Sequence, residues 1–393
     1  MGDVLLSFLW NTKLIPYNPA LGLSSIGLVS AIGITVGLVL VPSISKFRNQ
    51  AYYLGVGSAL RAAAVLALAL AAPLGDVYLV PFAALVQVVD MIVAVLTAGA
   101  VNAILAEHFP KERFVQVTGF NQVVGRVAVL SGWLLGGLLV AIFSTVGLIW
   151  VDFVSFIPIT VLLFIWARHS RGVAMVKPSQ QPSQQLTRAE FMAMRAIVVP
   201  YAIVYVLGSL VSRTTPLLWR RLFPESGWSY EISQGVLFAT FVAGYLAAGV
   251  TLASKKGAQR FELLLSREHG LIGVTLLFGL AIGVLPLAGL HPLFMGLLLF
   301  VSGLFSGFVP AAFLARARLS LEGISLRRAF YLLGLVGRFG EPAGGAIAGG
   351  LLIWLSVSGL YAVSGLGIVA LGLLLSAASS FRSGVSIPGQ SDG

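Results

Sequence analysis

Apolar runs about as long as a bilayer is thick recur along this whole sequence, and that recurrence leaves few folds open to it. A membrane-crossing helix needs about 20 mostly apolar residues. Such runs stand at roughly 22–42, 51–72, 77–105, 115–143, 145–167, 193–217, 233–253, 270–287, 292–315, 329–353 and 359–380, with a shorter one at 1–15. Backbone polar groups have no water to bond in hydrocarbon, so runs of this length are helices. The expected fold class is therefore all-α and polytopic, with about 12 transmembrane helices in two six-helix pseudo-repeat halves. Only 10% of the residues are charged, against about 25% in a soluble domain. A soluble enzyme, a nucleic-acid binder and a disordered chain are excluded on that ground. With no cysteine, disulfides and thiolate ligands are excluded too.

The polar stretch from Ala167 to Glu190 is rich in Pro, Gln and Ser and divides the runs six and six. The expected units are residues 1–167, an N-terminal half; 168–192, a cytoplasmic linker; and 193–393, a C-terminal half. The net charge of +11 is not a nucleic-acid footprint, because its distribution follows the loops. With residues 43–50 in the cytoplasm, the loops of that side hold seventeen Lys and Arg and the opposite loops hold three. Basic residues accumulate in cytoplasmic loops, so both termini are expected there, in the cell membrane. The first run rises only about 22 Å, short of the hydrocarbon thickness of about 30 Å. The first helix is thus expected to lack its cytoplasmic half.

The halves carry an internal repeat. Gly125-Arg126 in the fifth run answers to Gly337-Arg338 in the eleventh, and Gly132-x-x-x-Gly136-Gly137 answers to Gly345-x-x-x-Gly349-Gly350. The second and eighth runs start alike, at Ser24 and Ser233. Two related halves can rock about a central site, which is a transporter signature.

Several segments carry a resemblance. These are Asn102–Gln122 (NAILAEHFPKERFVQVTGFNQ), GWLLGGLL from Gly132, VDFVSF from Val151, LRAAAVLAL from Leu60, and Gly2-Asp3. Together they resemble the major facilitator superfamily, and within it the exporter branch that includes macrolide-efflux and enterobactin-export proteins. That resemblance implies the major facilitator fold and export of amphipathic or hydrophobic small molecules, driven by protons through alternating access.

A charge at the bilayer centre costs about 2.5–3.5 kcal/mol on insertion scales, so each needs a partner or a wet cavity. Asp90 shares one helical face with Ala83, Gln87, Ala94 and Thr97. That small, polar face reads as a cavity lining. By rise, Asp90 stands about 22 Å and Arg126 about 16 Å from the cytoplasmic edge, so the two are expected to pair. Such a pair is either a proton switch or a static salt bridge. Arg338 and Glu341, three apart, can pair on one face of the eleventh helix. Asp152 is expected to cap a helix or to sit at the interface. The substrate- and proton-binding candidates are Asp90, Arg126, Arg338, Glu341, Gln87 and Gln122.

The four histidines are too scattered for a metal site, and no phosphate-binding loop is present. No cofactor and no catalytic residue is expected. The partners are a small-molecule substrate, protons and the bilayer, with no nucleic acid, and the chain is expected to act as a monomer. Three other readings stay open: an importer of a metabolite or anion, a membrane-embedded enzyme, and a transport-inactive scaffold.

Overall fold

The structure, a computed structural model, describes residues 19–44, 50–74, 76–97, 109–142, 145–169, 187–212, 214–224, 230–266 and 269–384. The first apolar run and most of the linker lie outside the described residues. The next five runs form α1 (Pro19–Ile44), α2 (Gln50–Ala71), α3 (Asp76–Thr97), α4 (Lys111–Ile142) and α5 (Thr145–His169). The second half holds α6 (Arg188–Ser212), α7 (Thr215–Leu222), α8 (Tyr230–Ala253), α9 (Lys255–Ser266), α10 (His269–Val284), α11 (Pro292–Ser320), α12 (Gly323–Leu351) and α13 (Val357–Gly384). Among the described residues, seven helices are long and apolar enough to cross a membrane, and three more contain shorter apolar stretches. The fold is all-α, as the runs predict.

Local chemistry sets the boundaries. Where the linker meets α6, Thr187 and Glu190 form a reciprocal cap. The Thr187 N–H donates to Glu190 Oε2 at 2.9 Å, and the Glu190 N–H donates to Thr187 Oγ1 at 3.2 Å. Two of the helix's four orphan donors are satisfied in this way. The seventh run, read as continuous to 217, breaks before α7, which has Pro216 in its first turn. A proline there lacks only an N–H that would have had no partner. The break is tied to α13 by Tyr361, whose hydroxyl donates to the Val211 carbonyl at 3.1 Å and meets Thr215 Oγ1 at 2.8 Å.

Within the first half, α2 packs on α5 and α3, and α1 packs on α3. Within the second, α10 packs on α13, α6 on α12, and α8 on α11. The halves meet along two seams, α4 against α8 and α12 against α1. Since α4 answers to α12 in the repeat and α1 to α8, the seams are repeat-mates. Fifteen residues separate Arg126 from the first residue of α4, and fifteen separate Arg338 from the first residue of α12. Helix α5 carries exposed Val154, Ile157, Leu162, Ile165 and Trp166. Apolar exposure on that scale suits lipid, which replaces water as the solvent of this face. Asp152 is 4% exposed and stands in the second turn of α5, past the position of an N-cap.

Candidate functional site

Helix α4 brings three polar side chains to the middle of the bundle. Thr118, Gln122 and Arg126 recur every four residues, so they lie on one face. Thr118 is buried, and among the described residues neither its hydroxyl nor the buried Gln122 Oε1 has a hydrogen-bond partner. The Arg126 guanidinium carbon stands 3.8 Å from the centroid of the Tyr245 ring, which α8 supplies from the other half. A guanidinium held over an aromatic face carries a planar fork of N–H donors. Such a fork can take a carboxylate, phosphate or sulfonate in two-point fashion.

Helix α6 adds Tyr201 and Tyr205, with ring centroids 5.5 Å apart. Tyr201 also lies 5.2 Å from the Phe313 ring of α11. Arg126, Tyr205 and Tyr245 are all within Coulombic reach of Tyr201. Helix α12 passes at Gly337, where a Cβ would stand 3.9 Å from the Tyr201 hydroxyl. Arg338 follows directly. Its backbone and that of Glu341 are helical, while their side chains, and hence the pairing expected of them, lie outside the described residues. Of the predicted residues, Arg126 and Gln122 thus share one site at the junction of α4, α6, α8 and α12. The tyrosines were missed, because aromatic residues in an apolar run carry no signal separating a lining from a core.

Asp90 and Gln87 lie elsewhere, and the expected Asp90–Arg126 pair is corrected. Asp90 Oδ1 meets Arg61 Nη2 of α2 at 2.6 Å, and the same nitrogen donates to the Asp90 carbonyl at 3.3 Å. The expected pairing weighed only the helix that follows in sequence, whereas the partner comes from α2, which packs on α3. Gln87 donates from Nε2 to Ser30 Oγ of α1 at 3.0 Å. The polar face of α3 read as a cavity lining is therefore, among the described residues, a packing face against α1 and α2.

The end of the bundle where α4 and α12 start and α8 ends is closed. Phe114 of α4 stacks on Phe330 of α12 with centroids 5.4 Å apart, and both are fully buried. Arg318 at the end of α11 stands 5.8 Å over the Phe114 ring. At Gly119 a Cβ would come within 2.6 Å of the Ala253 backbone nitrogen and of Leu252 Cβ. Only glycine lets α4 and α8 approach so closely. Lys111, Arg113, Arg188, Lys255, Lys256 and Arg328 all belong to this basic end.

Solved structures share this architecture at low sequence identity. A bacterial homologue of the iron transporter ferroportin, in an outward-facing state, matches with a TM-score of 0.67 at 17% identity, over 96% of each chain. The human organic anion transporter TETRAN matches at 0.67 and 14%, over 95% of this chain and 89% of that one. The Escherichia coli fucose:proton symporter matches at 0.63 and 11%, over 96% and 98%. The fold is that of major facilitator transporters. No protein-family model and no curated protein matches the sequence.

Proposed function

We propose that this protein is a secondary transporter of the cell membrane that exports an amphipathic small molecule by alternating access, driven by protons. The substrate carries an anionic group, which Arg126 receives. The observation that carries this reading is the Arg126–Tyr245 stack, because it puts one cation on the seam between two repeat-related halves. A substrate bound there touches both halves at once, so its binding free energy differs between the two ways the halves can rock. The tyrosine rings beside the arginine suit the apolar body of an amphipathic anion. The organic anion transporter of the same fold supports the substrate class, and the fucose:proton symporter supports a proton gradient as the drive. Efflux as the direction rests on the exporter-branch resemblance of residues 102–122 and 132–139.

The test is transport in proteoliposomes under an imposed pH gradient, over a panel of amphipathic anions, cations and neutral compounds. Accumulation of anions against their gradient, lost in Arg126→Gln and partly kept in Arg126→Lys, is expected. Transport of cations or neutral compounds alone, or full activity in Arg126→Gln, contradicts the assignment. Movement toward the basic end, in step with protons, turns the reading into an importer.

A further inference from the structure

A second pocket lies at the basic end, on the corner between α8 and α9. Helix α8 stops at Ala253, Ser254 turns the chain, and α9 begins at Lys255. Ser254 Oγ accepts from the Gly257 N–H at 3.0 Å and donates to the Thr251 carbonyl at 2.8 Å, an N-cap that satisfies one orphan donor. The corner is tight, since a Cβ on Gly257 would run into the Thr251 carbonyl oxygen. Ala258, Phe261 and Leu265, spaced three and four apart, seat α9 on the bundle. Phe261 stacks on Phe308 of α11 with centroids 5.3 Å apart.

The corner leaves a cavity of about 470 Å³. Lys256 and Arg260, one helical turn apart, stand on its rim with the hydroxyls of Thr251 and Ser254. Val250, Leu264 and Phe308 make its apolar wall. Val250 is 55% exposed and Leu264 44%. Among the described residues neither cation makes an ion pair. Two cations beside exposed aliphatic side chains suit neither bulk water nor hydrocarbon alone. They suit the boundary between the two, where an amphipathic helix lies in the headgroup plane.

We propose that this pocket binds one phospholipid with an anionic headgroup. Lys256 and Arg260 hold the phosphate, and the acyl chains run along Val250 and Leu264. Because Leu252 and Ala253, one turn away, form the seam with Gly119, the lipid braces α8 in the closed arrangement of the basic end. The proposal needs only the membrane fold and stands apart from the identity of any transported substrate.

The test is native mass spectrometry of the full chain, loaded with equal phosphatidylglycerol and phosphatidylcholine. Each Lys or Arg near an anionic surface contributes about 1 kcal/mol. Removing both in K256Q/R260Q should therefore weaken phosphatidylglycerol retention about 30-fold. The control R113Q/R188Q removes the same charge from exposed positions of the same end and should change retention less than about 3-fold, below half a decade on that scale. V250S/L264S should also lose the lipid while keeping both cations. Equal retention of the two lipids, an unaffected K256Q/R260Q protein, or equal loss in the control overturns the proposal. So does displacement of the lipid by millimolar inorganic phosphate, which would make the site a phosphate site.

Discussion

The two seams between the halves occupy equivalent places in the repeat, yet they are built from different chemistry. The α4–α8 seam is a backbone contact at Gly119, continued by one stacked cation, Arg126 on Tyr245. The α1–α12 seam is a packed hydrophobic contact. Ile34 and Leu335 are buried there together with Met91 and Val95 of α3. One of its glycines, Gly27, would drive a Cβ into Ala346 Cβ and to 2.8 Å from Ala346 Cα, an approach as close as that at Gly119. Counting on from Ser24 and Ser233, Val36 falls where Tyr245 stands. One seam thus keeps a polar, solvable contact at mid-depth and the other an apolar one. Duplication supplies symmetric helices, and the side chains decide which seam meets a ligand.

The largest effect is expected at Asp90, which anchors α3 behind the apolar seam. Asp90→Asn leaves the partly buried Arg61 charge without its carboxylate, which costs up to about 3–5 kcal/mol. Thermal unfolding in detergent should show that loss, and Arg61→Gln in the same background should recover most of it. An Asp90→Asn protein of normal stability that binds substrate but loses gradient-driven accumulation would instead make Asp90 the proton carrier.

Next comes Gly119→Val. Overpacking of a close contact costs about 1–3 kcal/mol. The substitution should open the basic end and abolish transport while leaving the fold intact by circular dichroism. Gly27→Val meets Ala346 Cβ and Cα, which no rotamer change can move aside. Ala346 stands 23 residues along α12 from the basic end, however, so this substitution should cost similar stability without opening that end. Equal opening of the basic end by the two substitutions would erase the distinction between the seams.

A smaller change is expected for Tyr245→Leu, which removes a partly desolvated cation–π contact of about 0.5–2 kcal/mol. The KM for an anionic substrate should rise more than kcat falls, because the arginine remains but loses its alignment. Val36→Leu, at the corresponding place of the other seam, should leave KM unchanged.

How far the sequence could be read depends on what its signals measure. Run length and loop charge report on helices and their order, and α1, α2, α4, α5, α8 and α10 to α13 follow the apolar runs closely. The repeat was legible in Gly125-Arg126 and Gly337-Arg338 because glycine and arginine are scarce together in lipid. The partner of Asp90 was not. An acid on a middle helix has neighbours on both sides, here Arg61 one helix back and Arg126 one helix ahead, and depth reckoned by rise inherits every error in helix ends. Helix α9 was read as loop because its polar residues outnumber its apolar ones. Its Ala258, Phe261 and Leu265 spacing carried the signal that would have identified it.

The smallest effect is expected at Thr118. Its buried hydroxyl has no partner in the closed structure, so Thr118→Val should change stability by less than about 1 kcal/mol. A drop in transport without a drop in stability would place that hydroxyl among the groups that meet substrate.

The central claim is that the basic end opens and closes about the Arg126 stack. The natural sequence has no cysteine, so spin labels can be placed on R113C and R328C, two exposed positions on opposite halves at that end. Pulsed electron–electron distance measurement in nanodiscs should give two populations, with the shorter one matching the closed arrangement. Gly119→Val should shift weight to the longer one. A single narrow distance, the same with and without Gly119→Val, would contradict alternating access at this seam.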